Sequence, residues 1–390
     1  MRSAAVLSVL AVVSLGAPAS GWSQTPTGAP VTLKAPDGVS LKATYFSPGR
    51  PGPGIMLLHQ CNRDRTSWTA LATDAAARGF HVLTLDYRGF GESGGEQFAS
   101  YQEQQPVVAG KWPGDIDAAF MWLIQQEGVD RNRIGAAGAS CGVNQSLLLA
   151  RRHPEVKTVV LLSGGATPEA REHLRQSPGM PVLAAASLDD GSIVSGMRWI
   201  LGWSRNDRNT FLEFQAAGHG TDMFEVEPEL TQKILGWFDA NLRHAPSALP
   251  AAPADSEPTV VEKFWTALTK PGGVDRARQI YEDSKRRDPG LVLFPETEAN
   301  TYGYQLLQNG SVNEAIAVFA LNVDAYPKSA NTYDSLSDAH LAAGNRDEAL
   351  RLAEKALAML EQDTRLSEEL RSAIMESAEK KIKELRGKEP

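Results

Sequence analysis

Residues 138–142, Gly-Ala-Ser-Cys-Gly, constrain this chain more than any other stretch because of what flanks them. Residues 133–137 read as a short apolar strand of small residues, and 143–150 read as a helix. A turn this tight leaves no room for a Cβ two residues before or after Ser140, which is the work of Gly138 and Gly142. In that context G-x-S-x-G holds a serine at the apex of a strand-to-helix turn, its hydroxyl above a sheet. Cys141 does not fit the apex, since Ala139 and Val143 would then occupy the glycine positions.

From about 30 to 243 the pattern alternates. Segments 31–35 and 41–47 flank Pro36-Asp37-Gly38, a hairpin signal. Short, nearly continuous apolar runs follow at 54–59, 81–86, 134–139, 158–162, 181–186 and 210–214, as strands covered on both faces require. Amphipathic segments such as 115–126 and 142–152 lie between them. A hairpin followed by repeated strand–helix units implies an α/β fold: a doubly wound, mostly parallel sheet with helices on both faces.

The first residues read differently. Met1-Arg2-Ser3, an apolar run over 4–16 and Ala17-Pro18-Ala19 have the layout of a secretory signal peptide, expected over 1–23. The run is too short to span a bilayer. Export to the periplasm or the exterior is therefore expected. Acids outnumber bases, 47 Asp and Glu against 39 Lys and Arg, with no basic cluster, so nucleic acid and anionic membranes are not expected partners. Two cysteines, Cys61 and Cys141, exclude a disulfide-rich scaffold and a Cys-based zinc site. No metal, nucleotide or flavin signature appears, and no cofactor is expected.

Residues 244–258 are rich in Pro and Ala and read as a semi-stiff linker. A helical region is expected over 259–385. There Leu307/Leu341, Gly310/Gly344, Glu314/Glu348 and Ala315/Ala349 recur at a spacing of 34. This period resembles tetratricopeptide repeats over about 298–365, with 259–290 as a degenerate earlier copy. Phe319 fills the aromatic position of the first copy, where the second has Ala353. The charged segment 380–390 is expected to fray. Such repeats imply a protein or peptide partner on a concave face, or docking on the first domain.

Attack on an ester or amide carbonyl needs a nucleophile, a base and a group that orients the base. In the fold argued above these follow in the order Ser, acid, His. Strand 181–186 runs into Ser187-Leu188-Asp189-Asp190, and strand 210–215 into Ala216-Ala217-Gly218-His219. Ser140, Asp190 and His219 are the expected triad, with Asp189 the alternative acid. Two backbone N–H groups must also face the developing oxyanion. Cys141 follows the nucleophile and supplies one; the run His59-Gln60-Cys61-Asn62 supplies the other, assigned to Cys61 over Gln60. The two cysteines thus fall at one oxyanion hole, either as a disulfide bracing it or as two separate thiols. Arg63 and Arg65 stand either as contacts for an anionic substrate or as a solvated loop.

Four pieces in this order resemble the α/β-hydrolase family, and within it the dienelactone-hydrolase-like branch: His59-Gln60-Cys61, residues 86–93, residues 138–142 and Gly218-His219-Gly220. The resemblance spans about 30–243. It implies that His59 anchors the oxyanion loop and that Arg88 and Glu92 belong to a structural turn. Many relatives carry His-Gly where this chain has His59-Gln60, and dienelactone hydrolases proper use a cysteine nucleophile, so that substrate does not carry over. About seventeen residues separate strand 158–162 from strand 181–186, where lids of this fold are inserted, so an open site is expected. The expectation is an exported serine hydrolase of carboxylic esters. Its rivals are amide or peptide hydrolysis by the same residues, or a repeat scaffold with an inactive first domain.

Overall fold

The computed structural model describes residues 27–99, 101–244, 257–360, 362–363 and 368–387. The expected signal peptide and most of the expected linker lie outside the described residues. Among those described, eight strands form one sheet: β1 (Ala29–Lys34), β2 (Ser40–Phe46), β3 (Gly52–Leu58), β4 (His81–Leu85), β5 (Val129–Ala139), β6 (Val156–Leu162), β7 (Val182–Ser187) and β8 (Thr210–Phe214). Their order is β1-β2-β4-β3-β5-β6-β7-β8. β1 and β2 are antiparallel to each other and β2 is antiparallel to β4; every later pairing is parallel.

The helices of this part are α1 (Thr69–Ala77), α2 (Tyr101–Gly110), α3 (Trp112–Ile124), α4 (Cys141–Arg152), α5 (Pro168–Gln176), α6 (Ile193–Leu201), α7 (Met223–Val226) and α8 (Glu229–Phe238). The sheet separates two cores. Ile55 and Leu57 of β3 face α1 and α8, whereas Met56 and Leu58 face α3 and α4. Alternation along a strand buried on both faces explains why β3 is apolar throughout. Small residues in β5 have a packing reason. The Phe238 ring lies over Gly135, where a Cβ would stand 2.6 Å from it.

Among the described residues seven helices follow: α9 (Val260–Leu268), α10 (Val274–Arg287), α11 (Glu296–Gln308), α12 (Val312–Ala325), α13 (Ala330–Ala342), α14 (Arg346–Met359) and α15 (Glu368–Arg386). α11–α12 and α13–α14 are hairpins whose helices start 34 residues apart, Glu296 to Ala330 and Val312 to Arg346. The period has a local cause. Gly310 and Gly344 both take φ 78°. Gly310 N donates to Leu307 O and Ser311 N to Leu306 O, and Gly344 and Asn345 repeat the pair on Leu341 and His340. These are two copies of the Schellman helix stop, which calls for glycine.

One expectation fails here. The charged tail does not fray from residue 380; α15 runs to Arg386, with Lys381 only 5% exposed and bonded to Asp334 Oδ1 at 2.8 Å and Asp338 Oδ1 at 2.6 Å.

The helical region packs directly on the sheet domain. Val261, Phe264 and Phe294 share one core cluster with Trp199 and Ile200 of α6. Arg205 meets Glu262 through two hydrogen bonds of 2.7 and 3.1 Å, both side chains largely buried. Arg171 of α5 stacks on Trp199 at 4.4 Å and faces Glu298 of α11 at 3.8 Å.

Candidate active site

Ser140 joins β5 to α4 at φ 53° and ψ −118°, a conformation that costs a non-glycine residue about 1–3 kcal/mol and persists only where its surroundings impose it. Its N–H donates to Leu162 O at 2.8 Å and its carbonyl accepts from Val143 N at 3.0 Å. A Cβ on Gly138 would stand 1.9 Å from Gly142 O, and one on Gly142 would stand 2.4 Å from Leu58 O. Gly164, beyond β6, crowds the same turn: its Cβ would stand 2.3 Å from Ser140 O. That third glycine lies too far along the chain for the motif to include it.

His219 follows β8, and its Nδ1 lies 2.6 Å from Asp190 Oδ2. This bond raises the imidazole pKa above its ordinary 6.5, against the opposing effect of burial. Asp189 turns elsewhere. It accepts from Ser187 Oγ and, at 3.2 Å, from Gly218 N, so it holds the backbone beside His219. The Ser187 hydroxyl, first among its contacts, keeps the Asp189 carboxyl below its ordinary pKa. Among the described residues Ser140 Oγ has no hydrogen-bond partner. Ser140 and His219 open into the same cavity, of about 1460 Å³.

The loop after β3 is set by a buried histidine. Tyr87 N–H donates to His59 Nε2 at 3.2 Å, so the ring proton sits on Nδ1 and donates to Gln60 O at 2.8 Å. Burial lowers the His59 pKa and keeps the ring neutral. A trans peptide sends its C=O and N–H in opposite directions. Anchoring Gln60 O therefore aims the Cys61 N–H away from His59. Cys141 N–H opens α4, where the first-turn amides lack helical partners. Among the described residues neither amide donates to a protein acceptor. Cys61 and Cys141 form a disulfide with Cα atoms 5.9 Å apart, and both line the cavity. Of the two cysteine readings left open by the sequence, the structure takes the disulfide.

The sequence marks Gln60 as a departure from His-Gly and as the alternative oxyanion amide, with no sign of a role for its side chain. Its side chain is fully buried, and its Oε1 accepts from Thr221 N at 2.7 Å and Thr221 Oγ1 at 3.0 Å. Asn62 Oδ1 accepts from its Nε2. Arg63 pairs with Asp222 at 3.0 Å, and Arg65 pairs with Asp86 and Glu92. Arg88 bonds Asp115 and Asp37. These arginines are committed to the protein's own acids. The expected openness needs correction: no lid follows β6, but Glu298, Thr301 and Gln305 of α11 form one side of the cavity. Nothing within residues 30–243 could signal a wall contributed from beyond the linker.

A family model of X-Pro dipeptidyl-peptidases (S15 family) matches residues 37–189. An uncharacterized protein of Mycobacterium tuberculosis is 32% identical over 149 residues, 38% of this chain and 50% of that one. An uncharacterized 31.7 kDa protein of Escherichia coli is 30% identical over 128 residues, 33% and 42% of the two chains. The chain thus spans about half the length of the curated relatives it matches. Among solved structures, an esterase of Pyrococcus furiosus aligns with TM-score 0.45 and 18% identity, covering 56% of this chain and 91% of that one. A dienelactone hydrolase of Anabaena variabilis aligns with TM-score 0.43 and 19% identity, covering 56% and 98%. The sheet order, the strand–serine–helix turn and the family match together identify the first part of this chain as an α/β hydrolase in fold.

Proposed function

We propose that the protein is a serine hydrolase of carboxylic esters. Ser140 attacks the carbonyl, and His219 takes its proton at Nε2 while Asp190 holds Nδ1. The amides of Cys61 and Cys141 receive the oxyanion. His219 then protonates the leaving alcohol, and water, deprotonated by the same ring, releases the acyl group. The observation that carries this reading is a serine fixed at φ 53° that lines the same cavity as a histidine bonded to a carboxylate at 2.6 Å. Hydrogen-bonded positioning of this kind tightens around substrate, so an unpaired Ser140 hydroxyl is compatible with it.

The S15 family match favours a second reading, in which the same residues cleave amides or peptides. We further infer export through residues 1–23, a reading supported by the disulfide, which suits an oxidising compartment. The tetratricopeptide-like reading of 298–365 is supported by the two helix stops at a 34-residue spacing. The test is labelling with a fluorophosphonate, the adduct mapped by mass spectrometry. An adduct on Ser140 that is absent from Ser140→Ala supports the proposal, and correctly folded protein with no adduct refutes it. A panel of aryl esters and peptides then separates the two substrate readings.

A further inference from the structure

The cavity is larger than a small ester requires. Pockets for compact ligands hold about 300–1,000 Å³, and this one reaches about 1460 Å³ by extending from Ser140 to the seam with the helical region. At the seam end Glu298, Thr301 and Gln305 line it. Their spacing of three, then four, puts them on one face of α11. On the opposite face Ala299, Gly303 and Leu306 are buried, and Gly303 lies so close to the Phe319 ring that a Cβ would stand 2.5 Å from it. The cavity-facing side of α11 therefore lies outside the packed core, with Glu298 facing Arg171 and Thr301 Oγ1 donating to Thr297 O, while the other side is committed to packing.

The chemistry of the lining narrows what that ligand is. Two of its three arginines are already offset: Arg152 pairs with Asp117 at 2.9 Å and Arg171 faces Glu298 at 3.8 Å. The third, Arg151, is exposed to solvent and forms no ion pair among the described residues. Hydrogen-bonding capacity, by contrast, is left over. Gln145 is 2% exposed and Ser163 fully buried; both touch the cavity, and Gln145 Oε1 and Ser163 Oγ lack partners among the described residues. Asn62, Gln105 and Gln305 add further carboxamides to the same surface. A buried polar group without a partner costs free energy that a matching ligand recovers.

Resting on the hydrolase reading above, we propose that α11 forms a distal subsite selecting substrates with an uncharged, hydrogen-bonding extension beyond the scissile bond. On this account the helical region is a specificity element of the catalytic cavity. It discriminates by the hydrogen bonds that the Gln305 carboxamide offers and that Thr301 Oγ1, which donates to Thr297 O at 2.8 Å, can still accept; an alkyl chain of equal length supplies neither.

The test uses the full chain and a Thr301→Leu/Gln305→Leu double variant, altering two exposed side chains. Three substrates are compared with 4-nitrophenyl acetate: an ester with an N-acetyl-diglycyl extension on the acyl side, one with the same extension on the alcohol, and 4-nitrophenyl octanoate. The readout is kcat/KM for each extended ester divided by that for acetate. The wild-type ratio should be higher for at least one diglycyl ester than for octanoate. In the variant that ratio should fall about tenfold, mostly through KM, the size expected for two lost hydrogen bonds. Ratios unchanged in the variant, or a wild type that favours octanoate, overturn the subsite. Fluorophosphonate labelling in parallel separates the two failures, because a wild type that neither turns over acetate nor labels at Ser140 overturns the catalytic reading itself.

Discussion

Gln60 Oε1 accepts the backbone N–H of Thr221 at 2.7 Å, which ties the loop carrying Cys61 to the loop carrying His219. The fit is close: a Cβ on Gly220, at φ 60°, would stand 2.1 Å from that oxygen. One side chain thus sets the spacing between the amide proposed for the oxyanion and the proposed base. Replacing Gln60 with Leu strands the Thr221 N–H in a buried position, at a cost of about 1–3 kcal/mol. We expect kcat to fall about tenfold or more with a smaller change in KM, measured on an aryl ester that the wild type cleaves. An unchanged kcat would show that the tie is dispensable.

Asp189 and Asp190 should separate sharply. Asp190 alone bonds the imidazole, so Asp190→Asn removes the carboxylate that fixes the His219 tautomer, and kcat should drop about 10⁴-fold. Asp189 supports the Gly218 backbone, and Asp189→Asn should cost far less. Equal losses would contradict the assignment.

The pH profile follows from the His219–Asp190 bond. A protonated His219 cannot accept the Ser140 proton, so kcat/KM must fall as pH drops through the imidazole pKa. Because Asp190 raises that pKa, the acid limb should lie above 6.5. In Asp190→Asn whatever activity survives should show the limb at lower pH.

Reduction of Cys61–Cys141 should affect both stability and rate. The bond closes a loop between positions 80 apart, which in the chain-entropy picture stabilises the fold by about 4 kcal/mol. It also joins the two residues whose amides are proposed to receive the oxyanion, a contact that would be made only in the transition state. Dithiothreitol, or a Cys61→Ser/Cys141→Ser variant, should lower Tm in a melting scan and lower kcat while leaving KM nearly unchanged.

Lys381 provides a test in the helical region. Replacing it with Met leaves Asp334 and Asp338 without their shared cation; burial already pushes the Asp334 pKa up. We expect a loss of about 3 kcal/mol or more, the usual effect of removing one member of a buried pair, seen as earlier loss of helical circular dichroism on heating.

The sheet and the Ser140 turn are legible in the sequence, because both are written in short-range pattern. Continuous apolar runs marked the strands, and paired glycines marked the Ser140 turn. The 34-residue spacing marked two helix stops whose glycines adopt positive φ. What escaped depends on contacts between distant segments. Phe319 and Ala353 looked like a mismatch between copies, but Phe319 fits because position 303 is glycine, whereas Ser337 stands at the equivalent place in α13 and bonds Ala349 O. Lys381 read as a solvated charge because its acids lie more than forty residues upstream. The α11 wall escaped for the same reason: docking across the linker is decided by tertiary packing of Trp199, Val261 and Phe294, which no local periodicity reports.

That docking has a practical corollary for how the chain can be handled. A fragment ending at the linker would carry all of the proposed reacting groups, yet it would uncover the tryptophan-rich flank of α6 and leave Arg171 without Glu298. Such a fragment is expected to be poorly soluble and permissive, accepting esters that the intact chain refuses. Grafting the helices of a relative onto this sheet domain would then transplant substrate preference without touching the nucleophile.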